Sequence, residues 1–367
     1  MVQKDPGFII GPIARFLGWI IDFVFNIVYQ ITDKNSLGIS IIILTIIIRF
    51  IMLPLAFKSQ KSMIGMQKLA PEMDKIKKKY GDSKDPETQR KMNAEMQALY
   101  SKNKVSPFGG CLPLLIQMPI FFGLSYLMNQ SFLYISKLRS IYEQLAALIS
   151  SLQDKVSDPA QYPLWAQTLI DVGAKHVPSN YGAFQFIASS LVPDQSKVVP
   201  GITDATIQSN LIKLLNRLTE ADWNTLFSNC VNQLATPDQL AAINSLYQQK
   251  NNIELFYGLN MLNNAGWMLP GVIIPVLAIL TSVLSSWLSM KLTAQTNKDN
   301  NSMMQQRMMM FIMPLVMGVF TVFYPVGVGI YWITSSVFQV VQQAFLNKKY
   351  GVNNSPKEDI GQHVGKH

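Results

Sequence analysis

The sequence is poor in charge and in the residue types that most often carry out chemistry. Charged residues make up 14% of the 367 residues, whereas hydrophobic residues make up 49%. There are two cysteines, too few for a disulfide framework, and three histidines, none of which lies in a long apolar run. The sequence contains no metal-ligand spacing and no phosphate-binding glycine loop. These absences exclude a disulfide-stabilised secreted domain and lead us to expect no enzyme activity, no metal and no other cofactor.

Long apolar runs dominate the chain and decide its class. Residues 38–55 read GISIIILTIIIRFIMLPL, which is long enough to cross a bilayer. Several other runs approach or exceed the same length. We therefore predict an all-α integral membrane protein with five transmembrane helices. The predicted spans are residues 37–57, 108–130, 267–290, 308–323 and 326–346.

The segments between the spans predict two further helical regions. Residues 58–106 carry 12 Lys/Arg against 6 Asp/Glu, and a break at 81–86 predicts a charged helical hairpin in which Asp85 caps the second helix. Residues 131–265 are polar enough to lie outside lipid, and predict a helical insertion with Thr236 or Asp222 as a cap. The predicted divisions are 1–34, 35–130 with the hairpin 58–106, 131–265, 266–346 and the basic tail 347–367.

The first 34 residues are predicted to lie on the membrane rather than to cross it. Within the apolar stretch 8–31, Arg15, Gly18, Asp22 and Asn26 recur at helical spacing and form one polar stripe. An amphipathic helix of this kind lies in the membrane interface. A sixth span over the same residues is the alternative. The start of the sequence shows no charged n-region, cleavage site or lipidated cysteine, so no signal peptide is expected.

The charge of the loops predicts the orientation of the chain. The hairpin 58–106 carries a net charge of +6 out of +9 for the whole chain, whereas the insertion 131–265 carries −2. Positively charged loops stay in the cytoplasm, so we predict that the N-terminus lies outside and the C-terminus inside. The insertion is then extracytoplasmic. Membrane orientation explains the basic excess, and no specific nucleic-acid sequence is expected as a partner.

Arg49 is the one charged residue inside a predicted span. It lies eight residues from the cytoplasmic end of its span, about 12 Å deep at the helical rise. No Asp or Glu occurs in the five predicted spans. The side chain could extend to the surface or bond carbonyl groups near Pro54. We favour the interpretation that its partner is an acidic group on a substrate, since a charge at this depth usually faces water or a partner.

Other predicted spans carry polar side chains at a depth comparable to that of Arg49. They are Gln117 in the second span, Ser282 and Ser285 in the third, and Ser335, Ser336 and Gln339 in the fifth. Together with Thr45, one turn before Arg49, they predict a hydrated groove within the membrane. The alternative is that serine, threonine and glutamine simply bond between helices.

Two stretches resemble a known family. Residues 45–55, the charged hairpin and residues 107–121 (PFGGCLPLLIQMPIF) are similar to the YidC family of membrane-protein insertases, and residues 324–343 look like that family's last span. The resemblance covers roughly residues 35–130 and 267–349. It implies a hydrophilic groove, open to the cytoplasm, that admits the polar part of nascent single-span or small membrane proteins, while their hydrophobic segment passes along an apolar surface into lipid.

The resemblance, taken with the depth of the polar side chains, implies roles for individual residues. The substrate-binding groove is expected to contain Arg49, Thr45, Gln117, Ser335, Ser336 and Gln339. The apolar surface, or substrate slide, is expected to contain Met118, Pro119, Phe121, Tyr331 and Trp332. The implied partners are nascent membrane proteins, membrane lipids, the ribosome and the Sec translocon. The implied working form is a monomer in the bacterial plasma membrane.

The chain also differs from the pattern of the family that it resembles. We expect neither the large β-rich domain and extra first span of Gram-negative relatives nor the lipoprotein signal found in many Gram-positive ones. The insertion 131–265 stands where that family has a short loop. The main alternative function is an anion-binding transporter or channel with Arg49 as its ligand site. Transporters usually show repeated halves, and two spans followed by a long loop and three spans show no such repeat.

Overall fold

The described part of the chain is almost entirely helical, which confirms the predicted all-α class. The computed structural model describes residues 7–81, 85–106, 112–152, 168, 204–293, 312, 315–316 and 318–350. Parts of three predicted regions lie outside the described residues. They are the start of the motif at 107–111, most of the span 308–323, and the tail after residue 350.

The helices are as follows in chain order. The first seven are α1 (Gly7–Ile31), α2 (Ser36–Ile51), α3 (Leu53–Tyr80), α4 (Pro86–Lys102), α5 (Leu112–Asn129), α6 (Ser131–Tyr134) and α7 (Ser136–Ser150). The next four are α8 (Asp204–Leu215), α9 (Glu220–Leu226), α10 (Asn232–Leu234) and α11 (Pro237–Glu254). A hairpin of β1 (Leu255–Phe256) and β2 (Leu259–Asn260) precedes α12 (Ile273–Thr293) and α13 (Val326–Tyr350).

A bend at Met52 divides the first predicted span. The axes of α2 and of residues 53–60 at the start of α3 differ by 52°. Pro54 causes the break, because it has no N–H to donate to the carbonyl of Phe50. Beyond the bend, α3 continues without interruption to Tyr80. One helix therefore runs through residue 57, the predicted boundary between span and hairpin, which stays a prediction.

Residues 58–106 contain most of α3 and the whole of α4, with a break between Gly81 and Asp85. α3 ends at Gly81, whose φ of +60° suits a residue without a Cβ. α4 begins at the predicted cap, where the Asp85 carboxylate accepts a hydrogen bond from the Thr88 N–H at 2.9 Å. An exposed ion pair of 2.8 Å between Lys79 and Glu95 joins the two helices.

The five predicted spans are not confirmed by helix length and hydropathy. Among the described residues, only the helix at Ile10–Ile31 is long and apolar enough to cross a membrane by itself. The bent pair α2 and residues 53–60 passes the same test if it counts as one span. Leu115–Asn129 and Ile273–Leu288 are apolar but shorter. The prediction that the first helix lies on the membrane remains untested.

The chain forms two compact units, and α2, α5 and α13 contribute residues to both. We call the first the insertion unit, because it contains the long insertion; it comprises Met1–Leu44, Phe122–Asn264 and Tyr324–Val328. We call the second the groove unit, because it contains Arg49; it comprises Thr45–Phe121, Ala265–Phe323 and Gly329–His367.

In the insertion unit, α1 packs against the start of the insertion. A Cβ on Gly18 would lie 2.2 Å from Cδ1 of Tyr134, so only glycine permits this approach. The Asp22 carboxylate accepts hydrogen bonds from the Ser136 N–H at 2.8 Å and from the Ser136 hydroxyl at 2.9 Å. Gly18 and Asp22 of the predicted polar stripe therefore contact the insertion, whereas large apolar side chains such as Trp19 and Phe23 are exposed.

The β1–β2 hairpin of the insertion packs on the first turn of α2. Asn35, just before α2, bonds to two parts of the insertion. Its N–H donates to the carbonyl of Asn252 at the end of α11, and its side-chain oxygen accepts from the N–H of Tyr257 in the hairpin. The Phe256 ring lies where a Cβ on Gly38 would be, 2.2 Å from Cδ2. This part of α2 is therefore covered by the insertion.

The end of the insertion also holds the start of α13. The N–H groups of Val326 and Gly327 donate to the carbonyls of Asn263 and Met261 at 2.8 and 2.9 Å. A Cβ on Gly327 would lie 2.9 Å from Cδ1 of Ile41, so α13 and α2 approach closely here. Residues 252–264 thus join the first turns of two helices through backbone hydrogen bonds.

A buried ion pair lies within the insertion unit. Lys250 and Glu254, one turn apart on α11, are 2.9 Å apart, and the two side chains are 3% and 2% exposed. The Glu254 carboxylate also accepts from the Tyr142 hydroxyl at 2.6 Å and from the Asn260 amide at 3.0 Å. Burial, and then the charge of Glu254, raise the pKa of Tyr142 well above its usual value. The Lys250 ammonium lies 5.4 Å from the centroid of the Trp223 ring.

Candidate functional site

The bend at Met52 determines the position of Arg49 in the groove unit. Arg49 lies in the last turn of α2, three residues before the bend. A cation is favourable at this end of a helix, because the last carbonyl groups carry partial negative charge. The side chain is neither fully buried nor fully exposed. In the part of the chain that the structure describes, no carboxylate lies within ion-pair distance of its guanidinium.

A hydrogen bond between α5 and α13 lies near Arg49. The Gln117 amide donates to the Tyr331 hydroxyl at 2.6 Å, and both side chains are buried. The Tyr331 side chain also lies near that of Arg49. The structure therefore brings together two groove residues, Arg49 and Gln117, through a residue that the sequence assigned to the slide.

A second polar contact joins α12 to α13. The Trp332 indole N–H donates to the Ser282 hydroxyl at 2.9 Å, and the hydroxyls of Ser282 and Ser336 are 3.1 Å apart. The Phe121 ring meets the Trp332 ring edge to face, with centroids 5.9 Å apart. These contacts hold the partly buried Trp332 ring in one orientation against α5 and α12.

The remaining predicted site residues differ in their exposure. Thr45 is fully buried on α2. Ser335 is buried, and its hydroxyl is close to that of Tyr331 without meeting hydrogen-bond geometry. Gln339 is exposed on α13, and Met118 and Pro119 are half-buried on α5. Hydrogen bonds therefore join Gln117 to Tyr331, and Ser282 to both Ser336 and Trp332. Among the described residues, Gln339 takes no part in them.

Two aromatic contacts beside the site were missed from the sequence. Phe50 and Phe57 meet Phe338 and Phe345, respectively, with ring centroids 5.3 and 6.5 Å apart. Both pairs keep the same spacing of seven residues, which is a signal that two helices lie alongside each other. The C-terminal half of α13 therefore lies alongside the end of α2 and the start of α3, on both sides of the bend at Met52.

We expect Tyr331→Phe to destabilise the groove unit by about 1–2 kcal/mol, because it leaves the buried Gln117 amide without its acceptor. Thermal unfolding in detergent micelles, followed by circular dichroism, would measure the loss. The matched control is the double variant Gln117→Leu with Tyr331→Phe, in which no polar group is orphaned and most of the stability should return. A Tyr331→Phe protein as stable as the parent would show that the bond contributes nothing.

The side chains near Arg49 can form hydrogen bonds with a polar ligand. The described residues contain no group of three or more His, Cys, Asp or Glu side chains that could hold a metal ion. The groups near Arg49 include the phenol of Tyr331 and the amide of Gln117 that is bonded to it, which can donate and accept hydrogen bonds. A half-buried guanidinium beside such groups can attract an acidic segment of another molecule.

A family model described as "60Kd inner membrane protein" matches residues 27–215 and 196–353 of the chain. The two matched segments together include most of the sequence. They contain every residue predicted for the groove and for the slide.

Several curated bacterial proteins are similar to parts of the chain. The Fusobacterium nucleatum "Membrane protein insertase YidC" is 45% identical over 111 residues, which cover 28% of this chain and 52% of the relative. The Bacillus anthracis "Membrane protein insertase YidC 2" is 52% identical over 89 residues, 24% of this chain and 34% of the relative. The Anaeromyxobacter dehalogenans "Membrane protein insertase YidC" is 48% identical over 87 residues, 24% of this chain and 15% of the relative. The chain thus spans about half or less of the length of these relatives.

Proposed function

Because the chain belongs to the 60Kd inner membrane protein family, which includes the YidC insertases, we propose that it inserts nascent membrane proteins into the lipid bilayer. The observation that carries this proposal is Arg49. It is a charge in an apolar helix, half-buried, with no carboxylate partner among the described residues. The proposed role of Arg49 is to attract the polar, acidic part of a client protein into the membrane, since a charged residue inside a membrane usually pairs or faces water.

The proposed groove is formed by Arg49, Thr45, Gln117, Ser335, Ser336 and Gln339, of which Arg49 and Gln339 are accessible and the other four are buried behind them as polar support. Its polar groups can donate hydrogen bonds to a client segment that has left water, and this lowers the cost of transfer. The bond between Gln117 and Tyr331 supports this role, because it keeps these two groups fixed near Arg49 before a client arrives. We propose that the groove opens toward the cytoplasm.

The proposed slide consists of Met118, Pro119, Phe121, Tyr331 and Trp332. Phe121 and Tyr331 are buried, so their role in it is to support the partly buried Trp332 and the half-buried Met118 and Pro119. Flexible methionine and flat aromatic surfaces adapt to apolar segments of varied shape. A client's hydrophobic segment would move along these side chains into lipid while its polar part occupies the groove.

The charged hairpin formed by α3 and α4 supports the proposed orientation, with this hairpin and the C-terminus in the cytoplasm. Hairpin and tail are then on the side where nascent chains emerge, and we propose the ribosome and the Sec translocon as partners beside the membrane lipids. The proposed working form is a monomer in the bacterial plasma membrane that needs no cofactor.

Photocrosslinking during synthesis tests the proposed function. A photoreactive amino acid at Met118, Trp332 or Gln339 is expected to label a nascent single-span protein that is synthesised in the presence of membranes, because these proposed groove and slide positions are not fully buried. Leu280, which is exposed on the apolar face of α12, is the matched control. If label appeared at Leu280 and not at the three test positions, the site assignment would be wrong.

A flux measurement separates the insertase from the alternative transporter. Vesicles containing the purified protein should show no uptake of small anions. Uptake that is lost on Arg49→Ala would support an anion-binding transporter or channel.

A further inference from the structure

Four exposed apolar side chains form a patch in the groove unit, between the 3₁₀ turn Thr321–Phe323 and the start of α12. Trp267, Met268, Leu269 and Phe323 are 62%, 84%, 78% and 61% exposed, respectively. The Trp267 and Phe323 rings meet edge to face with centroids 6.3 Å apart. We call these four residues the rim patch.

The backbone around the rim patch is fixed by hydrogen bonds. The Gly266 N–H donates to the carbonyl of Val322 at 3.0 Å, which joins the two segments that carry the patch. The Val272 N–H donates to the carbonyl of Met268 at 3.0 Å. A Cβ on Gly271 would lie 1.8 Å from the carbonyl oxygen of Ala265, so the loop folds closely on itself. The exposed side chains therefore stand on an ordered turn.

Two apolar stripes lead into the rim patch. On α12, exposed residues recur every three or four positions and form one face: Ile273, Val276, Leu277, Leu280 and Leu284. This stripe begins four residues after Leu269. A second set of exposed residues consists of Ile312, Leu315, Val316 and Phe320, and continues to Phe323. The patch is thus the place where two exposed apolar surfaces meet.

We propose that the rim patch inserts into the boundary between lipid headgroups and acyl chains, in the leaflet where α12 begins. Its continuity with the apolar face of α12 identifies lipid as the occupant, because that face needs an apolar surrounding in a membrane protein. Tryptophan is enriched at this boundary, where its ring has both an apolar surface and a polar N–H. The exposed Asn264 just before the patch marks the polar side of the boundary.

The consequence of this insertion is that α12 has a fixed depth. The apolar stretch Ile273–Leu288 of α12 is shorter than the roughly 20 residues that cross a bilayer, and a short apolar stretch adjusts to a bilayer by thinning the lipid or by using anchors at its ends. An anchored first turn would hold Ser282, two and a half turns further along, at a constant depth. Because Ser282 orients Trp332, the rim patch would set the level of the proposed slide. The lipid contact itself rests on the membrane location of the family and does not depend on the groove mechanism.

Spin-label accessibility tests the lipid contact without any client protein. A nitroxide is attached to Met268→Cys in a chain whose Cys111 and Cys230 are replaced by Ala, and the protein is reconstituted into vesicles of phosphatidylethanolamine and phosphatidylglycerol. Collision rates with oxygen, which concentrates in lipid, and with a water-soluble nickel chelate are compared. Two controls bracket the result: Leu280→Cys on the apolar face of α12, and Gln97→Cys on the polar helix α4.

The ratio of oxygen to nickel collisions at residue 268 is expected to be several-fold higher than at residue 97, and lower than at the deeper residue 280. Leu269→Cys provides a second position and should give the same order, so that one poorly folded variant does not decide the outcome. A ratio at 268 and 269 equal to that at 97 would place the patch in water and overturn the proposal. Low accessibility to both reagents would mean that protein covers the patch, which would also overturn it.

Discussion

Insertion of a client with an acidic translocated segment is expected to fall at least about tenfold when Arg49 is replaced by Glu, whereas Arg49→Lys should retain most of the activity. A tenfold loss requires only about 1.4 kcal/mol of lost stabilisation. The cost of a charged side chain at the bilayer centre is about 2.5–3.5 kcal/mol on insertion scales. Replacing the positive charge of Arg49 by a negative one is therefore more than sufficient to produce a tenfold loss of insertion.

The surroundings of Arg49 explain why this effect should depend on charge. Gln117 and Tyr331 bond to each other, and neither carries a negative charge at neutral pH. In the region that the structure describes, no Asp or Glu side chain pairs with Arg49. A counter-charge can then come from the client. Lysine supplies the same charge as arginine, although it lacks the planar fork of donors and binds a carboxylate less specifically.

Protease protection of a radiolabelled client in vesicles measures this prediction. A client whose acidic residues are changed to Asn and Gln should insert equally well with Arg49 and with Arg49→Glu. Arg217→Glu, on an exposed turn of the insertion, is the matched charge reversal outside the groove and should have no effect. Equal insertion of the acidic client by the parent, Arg49→Lys and Arg49→Glu proteins would remove the electrostatic mechanism.

Glu254→Ala is expected to destabilise the insertion unit by about 3–5 kcal/mol, because it leaves a buried charge without its partner. Among the described residues, the Lys250 ammonium would keep the Asn251 side-chain oxygen at 3.3 Å and the nearby aromatic rings. The change also removes the acceptor of the buried Tyr142 hydroxyl and of the Asn260 amide. Since these residues lie on α7, on α11 and in the β-hairpin, the loss should affect all three elements.

Hydrogen exchange of the backbone amides of α7 and α11 in detergent micelles reports the local opening free energy. The double variant Lys250→Met with Glu254→Gln removes both charges, and it should recover most of the protection. Glu95→Ala breaks the exposed pair with Lys79 and serves as the matched control, with no measurable change expected. Unchanged exchange in Glu254→Ala would show that the ion pair does not hold these elements together.

Local features of the helices could be predicted from the sequence. Asp85 and Thr236 are N-caps as expected, since each precedes a proline at the first helical position and bonds the backbone N–H three residues on. Asp222 acts differently, because it completes a capping box from the third helical position, with Thr219 as the cap. These signals lie within four residues of chain, and no tertiary contact is needed to read them.

Features that depend on distant contacts could not be predicted. Lys250 and Glu254 are one turn apart, a spacing that usually indicates an exposed pair on a helix surface. They are buried because Tyr142 and Trp223, distant in sequence, pack around them. In the candidate site, the polar side chains were identified from their depth. That Gln117 bonds Tyr331, and that Ser282 holds Trp332, depends on how α5, α12 and α13 pack in three dimensions.

The hairpin that covers Gly38 has a consequence for chimaeric proteins. Residues 252–264 supply the backbone partners of Asn35, Val326 and Gly327, and Phe256 occupies the space that any side chain at position 38 would need. Excising residues 131–265 would leave those N–H groups unsatisfied. If the insertion were transplanted onto a relative, Phe256 would clash with any side chain at the position equivalent to Gly38, so that position would have to be glycine. A functional graft therefore needs more than the loop, and it should carry residues 35–41 and 324–328 together with the insertion.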